Sequence, residues 1–161
     1  MMLQTEFRNA MAQLGSAVSV ITTDGPAGKY GFTASAVCSV TDQPPTLLVC
    51  MNRNSFANLH FKQNGKLCVN VLSSNHRDLS GVFANAALRS EQRFNHDSWQ
   101  TLSTGAPVLG SAVANFDCEI DDFHEVGSHT VFYCQVKAVR VGESPRGLVY
   151  FNRRYYDLVA E

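Results

Sequence analysis

Strand-like stretches dominate the pattern of apolar and polar positions: residues 17–23 are rich in β-branched side chains and residues 46–51 form a continuous apolar run, whereas apolar and polar residues alternate more clearly in the last third of the chain. Shorter stretches instead carry apolar residues at helical spacing. Strands are predicted at residues 17–23, 31–40, 46–51, 66–72, 112–126, 129–141 and 147–151, and helices at residues 5–14, from 55 onwards and from 73 to about 83. The pattern therefore predicts a mainly β protein with a few peripheral helices.

Few of the predicted strands are separated by a helix long enough for a parallel crossover. A closed antiparallel sheet leaves no unpaired edges, so a small barrel is the preferred architecture. Residues 84–109 show weak periodicity and are predicted to wrap over the body as a loop. The length of 161 residues suits one domain, which we expect to span residues 1–161.

Composition and charge exclude several classes of function. The formal net charge is −1 and the 13 Lys and Arg residues are scattered, so no nucleic-acid surface is expected. No apolar run approaches the ~20 residues of a membrane span, and residues 1–15 lack the apolar core of a signal peptide. Five widely spaced cysteines in apolar runs indicate reduced, buried thiols. We therefore expect a cytoplasmic protein, and the absence of metal-ligand spacing among cysteines and histidines predicts no metal site.

The most unusual predicted strand, residues 31–39, carries small and hydroxylated side chains where bulky ones are usual. Thr33, Ser35, Val37 and Ser39 would share one face of this strand. Small side chains let a flat ligand approach the backbone, whose N–H and C=O groups can then bind it. A tightly packed barrel interior is the alternative interpretation.

Three polar segments are further candidates for a site. Asn52, Arg53 and Ser55 lie where a strand meets a helix, and an arginine, a hydroxyl and free helix N–H groups suit a phosphate. The alternative is an ordinary polar turn with Ser55 as the helix N-cap. His129 follows a Gly-Ser turn, where a histidine is either simply exposed or contacts a ligand. Residues 153–156 combine cations with aromatic rings, either to close over a ligand or to dock on the barrel.

Motifs for catalysis by the protein's own side chains are missing from the sequence. It contains no glycine-rich dinucleotide fingerprint, no phosphate-loop lysine motif and no Ser-His-Asp order of a hydrolase. Chemistry supplied by a bound cofactor accounts for this lack.

A series of ordered segments covers nearly the whole chain: residues 7–11, 20–28, 31–42 with Pro44 and Pro45, 67–72, 83–84, 93–94, 127–129 and 147–151. Together these segments resemble the short-chain flavin reductase family. Residues 65–72 and 150–154 are similar to the reductase components of 4-hydroxyphenylacetate 3-monooxygenases, which is the favoured assignment. Residues 116–118 are similar instead to flavin reductases of pyrimidine utilisation, which is the alternative.

The resemblance implies a homodimeric, FMN-binding split β-barrel that carries FMN or FAD at the subunit interface. It implies hydride transfer from NADH or NADPH to the flavin, and delivery of reduced flavin to a separate flavin-dependent oxygenase. A non-enzymatic flavin- or haem-binding barrel is the rival interpretation.

The resemblance also implies a set of site residues. Residues 33–36 would line the flavin ring and ribityl chain, while Asn52, Arg53 and Ser55 would take the phosphate. His129, as the catalytic residue, would lie with Tyr155 where the nicotinamide docks, and Phe83 would stack nearby. The cofactor-binding residues are thus Thr33, Ala34, Ser35, Ala36, Ser39, Asn52, Arg53, Ser55, Phe83 and Tyr155.

Overall fold

The computed structural model describes residues 1–143 and 146–160 and is mainly β. The helices are α1 (Met2–Met11), α2 (Asn58–Asn64), α3 (Arg77–Ala84) and α4 (Ser90–Phe94), with a 3-10 turn at Ser74–His76. The strands are β1 (Ser16–Ala17), β2 (Ser19–Thr23), β3 (Tyr30–Ala34), β4 (Val37–Asp42), β5 (Pro45–Asn52), β6 (Lys66–Val71), β7 (Trp99–Gln100), β8 (Val108–Leu109), β9 (Ala114–Val126), β10 (His129–Val141), β11 (Arg146–Phe151) and β12 (Arg154–Val159). Residues 144, 145 and 161 of the predicted domain lie outside the described ranges.

Seven strands form one antiparallel sheet in the order β3-β2-β6-β9-β10-β5-β4. Its two edge strands, β3 and β4, follow one another along the chain with only residues 35–36 between them. The sheet must therefore curve until its two edges meet at this short connection. No ladder joins β3 to β4 within the described ranges, so the barrel is open along this line.

The inside of the curved sheet is filled by apolar side chains, and α2 closes it by inserting the fully buried Phe61. A second apolar cluster lies between the sheet and α3, and β1, β11 and β12 form a small sheet beside it. Main-core residues include Ile21, Leu47, Val49, Met51, Phe61, Leu67, Val69, Cys118, Phe132 and Cys134. The described part of the chain contains no helix that is long and apolar enough to cross a membrane.

The sequence-based prediction of one strand over residues 31–40 is wrong, because the chain leaves the sheet at Ser35 and Ala36 to pass from one edge to the other. The prediction of a featureless loop over residues 84–109 is also wrong, since it contains α4, β7 and β8. The final strand β12 was not predicted. The cysteines are unpaired, as expected, but Cys38 is exposed on β4 instead of buried.

Candidate functional site

The break between β3 and β4 exposes two consecutive backbone amide groups. Neither the Ser35 nor the Ala36 N–H donates to another residue of the described chain, and both residues are exposed. Their carbonyls are used, because Ser35 O accepts from Val37 N at 3.0 Å and Ala36 O accepts from Cys50 N at 3.1 Å. The two carbonyl oxygens of the break are therefore occupied, whereas its two N–H groups are free to bind a ligand.

Thr33 and Ala34 precede the break and are half-buried. The hydroxyl of Thr33 donates to the carbonyl of Ser80 in α3 at 2.6 Å, so α3 already uses this side chain. Ala34 packs against the main core. The contacts of Thr33 and Ala34 therefore fix the end of β3 from which the exposed residues 35–36 leave the sheet.

Ser39 lies further along β4, opposite Leu47 of β5. It lines an apolar groove of about 250 Å³ with Val37, Leu47, Phe116 and Val136. Ser35 opens instead into a neighbouring cavity of about 290 Å³, and Val37 borders both. The structure therefore does not bring Ser39 into the same cavity as Ser35.

The predicted phosphate residues form a tight turn after β5. Asn52 Oδ1 accepts from Asn54 N at 2.8 Å, and Asn52 O accepts from Ser55 N at 3.2 Å. The expectation that Ser55 caps the next helix is wrong, because α2 begins at Asn58 with Ala57 before it. The Ser55 hydroxyl makes no hydrogen bond within the described chain, so it is available as a donor.

Arg53 is held by the hairpin that joins β9 and β10. Its Nε lies 2.9 Å from Glu125 Oε2, and its Nη1 donates to Gly127 O at 3.1 Å. Its backbone N–H donates to Ser128 O at 2.9 Å. The remaining nitrogen, Nη2, has no partner among the described residues and is free to meet an anion.

Glu125 is the site residue that the sequence reasoning missed. It lies 72 positions from Arg53, and only the β5-β10-β9 pairing brings the two together. A hydrogen bond from Lys62 and a second from Thr130 lower the pKa of Glu125 below its ordinary value, with the Arg53 charge adding to this. The carboxyl is therefore ionised at neutral pH.

His129 begins β10 directly opposite Asn52 at the end of β5. Its side chain is exposed, and its Nδ1 lies 2.9 Å from the Ser128 hydroxyl. The register thus places this histidine at the same end of the sheet as the phosphate turn, and Ala36 is tied to that end through Cys50.

Phe83 lies on α3, and Tyr155 of β12 contacts the same helix through Ser80. The Tyr155 hydroxyl lies 2.7 Å from Ser80 Oγ, and the Ser80 carbonyl accepts from the Thr33 hydroxyl of β3. Ser80 therefore links Tyr155 to β3. Phe83 is only 1% exposed and packs on Phe94 and Trp99. In this structure its ring supports the fold and presents no free face for stacking.

Arg93, in α4, holds the same region from the other side. Its guanidinium donates to the carbonyls of Gly31 at 2.7 Å, Phe83 at 3.3 Å and Asn85 at 2.8 Å. Burial lowers the pKa of Arg93 below its ordinary value, but an arginine side chain stays protonated in a protein. The arginine therefore fixes the distance between β3 and the end of α3.

The assembled features suit a flat ligand that carries a phosphate. Two open backbone donors at residues 35–36 can bind the edge of a planar ring. The free donors of Arg53 and Ser55 lie at the end of the adjoining strand, where a charge-assisted hydrogen bond to phosphate oxygen is available. Within the described ranges, no group of three His, Cys, Asp or Glu side chains could hold a metal ion.

Comparison with known proteins gives a family for this chain. Residues 11–159 match the flavin reductase like domain family. FMN reductase (NADH) RutF of Serratia proteamaculans (strain 568) is 53% identical over 156 residues, which are 97% of this chain and 89% of that protein.

Two solved structures extend the likeness to the whole fold. A Haemophilus somnus 129PT protein, described as a candidate flavin reductase, superposes with a TM-score of 0.92 at 49% identity, covering 96% of this chain and 98% of that chain. The styrene monooxygenase flavin reductase of Pseudomonas putida S12 gives a TM-score of 0.84 at 27% identity, covering 97% and 99% of the two chains. The chain therefore belongs to the flavin reductase family.

Proposed function

We propose that this flavin reductase transfers a hydride from NADH to FMN and releases the reduced flavin to a separate flavin-dependent oxygenase. The observation that carries the proposal is the pair of open amide donors at Ser35 and Ala36 beside the phosphate turn. The relative named FMN reductase (NADH) supports both the flavin and the nicotinamide.

In this proposal the chain binds flavin at two points. The N–H groups of Ser35 and Ala36 donate to the polar edge of the ring, where negative charge grows on reduction. Arg53 and Ser55 donate to the phosphate, and Asn52 shapes the turn that presents them. FAD carries a phosphate at the same position, so its flavin half fits this arrangement too.

The bound flavin supplies the hydride acceptor, and the protein's contribution is alignment. Productive transfer needs the reacting atoms of the two rings to approach to roughly 3–3.5 Å. His129 is exposed at the same end of the sheet and is oriented by Ser128, so we assign it to dock the nicotinamide. Tyr155 acts less directly, through Ser80 and Thr33.

Two kinds of oxygenase are candidates for the partner that receives the reduced flavin. The RutF relatives support the pyrimidine-utilisation alternative better than the 4-hydroxyphenylacetate 3-monooxygenase partner that the sequence favoured. The structural neighbour from styrene monooxygenase supports the general scheme, in which a reductase of this fold serves an oxygenase. We therefore propose a pyrimidine-utilisation oxygenase as the recipient of the reduced flavin.

We further propose that the protein functions as a homodimer. Helix α1 has no buried residue, and Leu3, Phe7 and Met11 lie on one side of it at 76%, 61% and 47% exposure. Such an apolar stripe is stable when another surface covers it. A second copy of the chain would cover it and would also deepen the shallow cavity at Ser35.

A spectrophotometric assay tests the proposed activity. Purified protein is mixed with NADH, and the nicotinamide absorbance is followed with and without added FMN. The proposal predicts rapid NADH loss that requires both protein and flavin, while NADPH and FAD in parallel reactions rank the substrates. Flavin binding without NADH loss would support the rival non-enzymatic barrel instead.

A further inference from the structure

Glu125 lies between two cations, Arg53 of the phosphate turn and Lys62 of α2. Its Oε1 is 2.5 Å from Lys62 Nζ, and its Oε2 is 2.9 Å from Arg53 Nε. The Thr130 hydroxyl donates to Oε2 at 2.8 Å and itself accepts from Asn58 Nδ2 at 3.1 Å. Both carboxylate oxygens are thus engaged.

This arrangement fixes the direction in which Arg53 points. Glu125 and the Gly127 carbonyl hold two of its nitrogens, and Nη2 is left as the donor without a partner among the described residues. The Lys62 ammonium is engaged as well, since it contacts Glu125 Oε1 and lies 4.8 Å from the centre of the Phe123 ring. A phosphate at the turn therefore meets one pre-oriented arginine and not two free cations.

The carboxylate also reduces the charge of the turn. Arg53 and Lys62 contribute two positive charges and Glu125 removes one, whereas a phosphate monoester carries roughly −1.5 to −2 at neutral pH. The Glu125 side chain is 31% exposed, so its repulsion of the phosphate is screened but still acts at short range. Binding is therefore weaker than the two cations alone would allow.

We infer that Glu125 is a positioning residue with a second effect: it orients Arg53 for the flavin phosphate and, as a fixed counter-anion, weakens the site so that reduced flavin can leave. This inference rests on the proposed function, in which flavin is a substrate that must be released in every cycle. Glu125 would thus determine both the orientation of Arg53 toward the phosphate and the rate at which flavin dissociates.

The test is the variant Glu125→Gln, which keeps one side-chain oxygen for Arg53 and Thr130, replaces the oxygen that faces Lys62 with an NH2 group, and removes the charge. FMN and riboflavin are titrated separately, and FMN dissociation is followed by stopped-flow fluorescence. We expect roughly two- to fivefold tighter FMN binding, a matching fall in the dissociation rate and a steeper salt dependence, with riboflavin unchanged. A merely structural glutamate would weaken both ligands alike.

Glu119→Gln provides the matched control, because it makes the same charge change on β9 at a side chain that pairs with Lys137. It should leave FMN affinity unchanged. Lys62→Met is a second variant, which removes a positive charge instead of a negative one. It should weaken the binding of FMN and leave the binding of riboflavin unchanged.

Two outcomes overturn the inference and are distinguishable. If Arg53→Ala weakens FMN specifically but Glu125→Gln leaves the FMN dissociation constant unchanged or raises it, the counter-anion role is wrong and the phosphate site stands. If Arg53→Ala affects FMN and riboflavin equally, the phosphate site itself is elsewhere and the inference falls with it.

Discussion

His129 of β10 and Asn52 of β5 are directly paired in the antiparallel register, although 77 positions separate them in sequence. The residue assigned to the nicotinamide and the residue that shapes the phosphate turn therefore share one end of the sheet. The strand pairing fixes their separation, so the proposed nicotinamide position at His129 is set relative to the proposed phosphate turn.

The first prediction concerns His129. His129→Ala should lower the rate of flavin reduction by NADH while leaving flavin affinity nearly unchanged, because the side chain acts only when donor and acceptor are aligned. Stopped-flow reduction and flavin titration report the two quantities separately. His124→Ala, at another exposed histidine of the same hairpin, is the control and should reduce flavin at the wild-type rate. A wild-type rate in His129→Ala would make the residue a bystander.

Tyr155 carries the second prediction. Tyr155→Phe removes the hydrogen-bond partner of the fully buried Ser80 hydroxyl, which should cost about 1–2 kcal/mol and lower the melting temperature by roughly 2–8 °C. Tyr156→Phe, at a 43% exposed tyrosine in the next position, should melt like the wild type. Equal melting temperatures for the two variants would show that the Tyr155 hydroxyl bond contributes nothing.

Gly31 provides the third prediction, through the close approach of β3 and α3. A Cβ built at Gly31 lies 2.7 Å from Cε1 of the buried Phe83, so Gly31→Ala should destabilise the fold by about 1–3 kcal/mol. Gly81→Ala lies in α3 with no atom within 4 Å of the added Cβ, and should be neutral or slightly stabilising. Denaturant unfolding measures both, and Gly31→Ala as stable as Gly81→Ala would show that Phe83 moves aside freely.

The fourth prediction concerns the oligomeric state. Sedimentation should give about twice the protomer mass of 17.7 kDa, and Phe7→Glu should shift the protein toward the protomer because it places a charge on the exposed apolar side of α1. Gln4→Glu introduces the same charge beside that stripe and should leave the dimer intact. A fully active wild-type protomer would contradict the proposed dimer.

Much of the fold could be predicted from the sequence, because strand alternation is a local signal. The long hairpin of β9 and β10 shows it most clearly, since its predicted and observed bounds differ by at most two residues. The break at Ser35 and Ala36 could not be predicted, because small hydroxylated residues suit a strand locally. The chain leaves the sheet at residues 35–36 because these residues connect its two edge strands, β3 and β4, and that connection is a property of the whole sheet.

Other features depended on contacts that pattern reasoning does not reach. The turn before β12 uses Asn152 and Arg153 in the left-handed region, at φ 48° and 60°, and an arginine there is not a usual turn signal. In the sequence Glu125 looks like any polar strand residue, and only the pairing of β5, β10 and β9 brings it to Arg53. Sequence patterns therefore offered candidate residues within single segments, whereas Glu125, which only sheet pairing brings to Arg53, was not among them.

The phosphate turn is the most direct test of the whole account. FMN and riboflavin are titrated into the wild type and into the double variant Arg53→Ala, Ser55→Ala, with folding checked by thermal melting. The account predicts that FMN affinity falls by roughly tenfold or more while riboflavin affinity is unchanged, because the lost donors reach only the phosphate. Equal losses for both ligands, or no loss for FMN, would contradict the assignment of the flavin phosphate to residues 52–55.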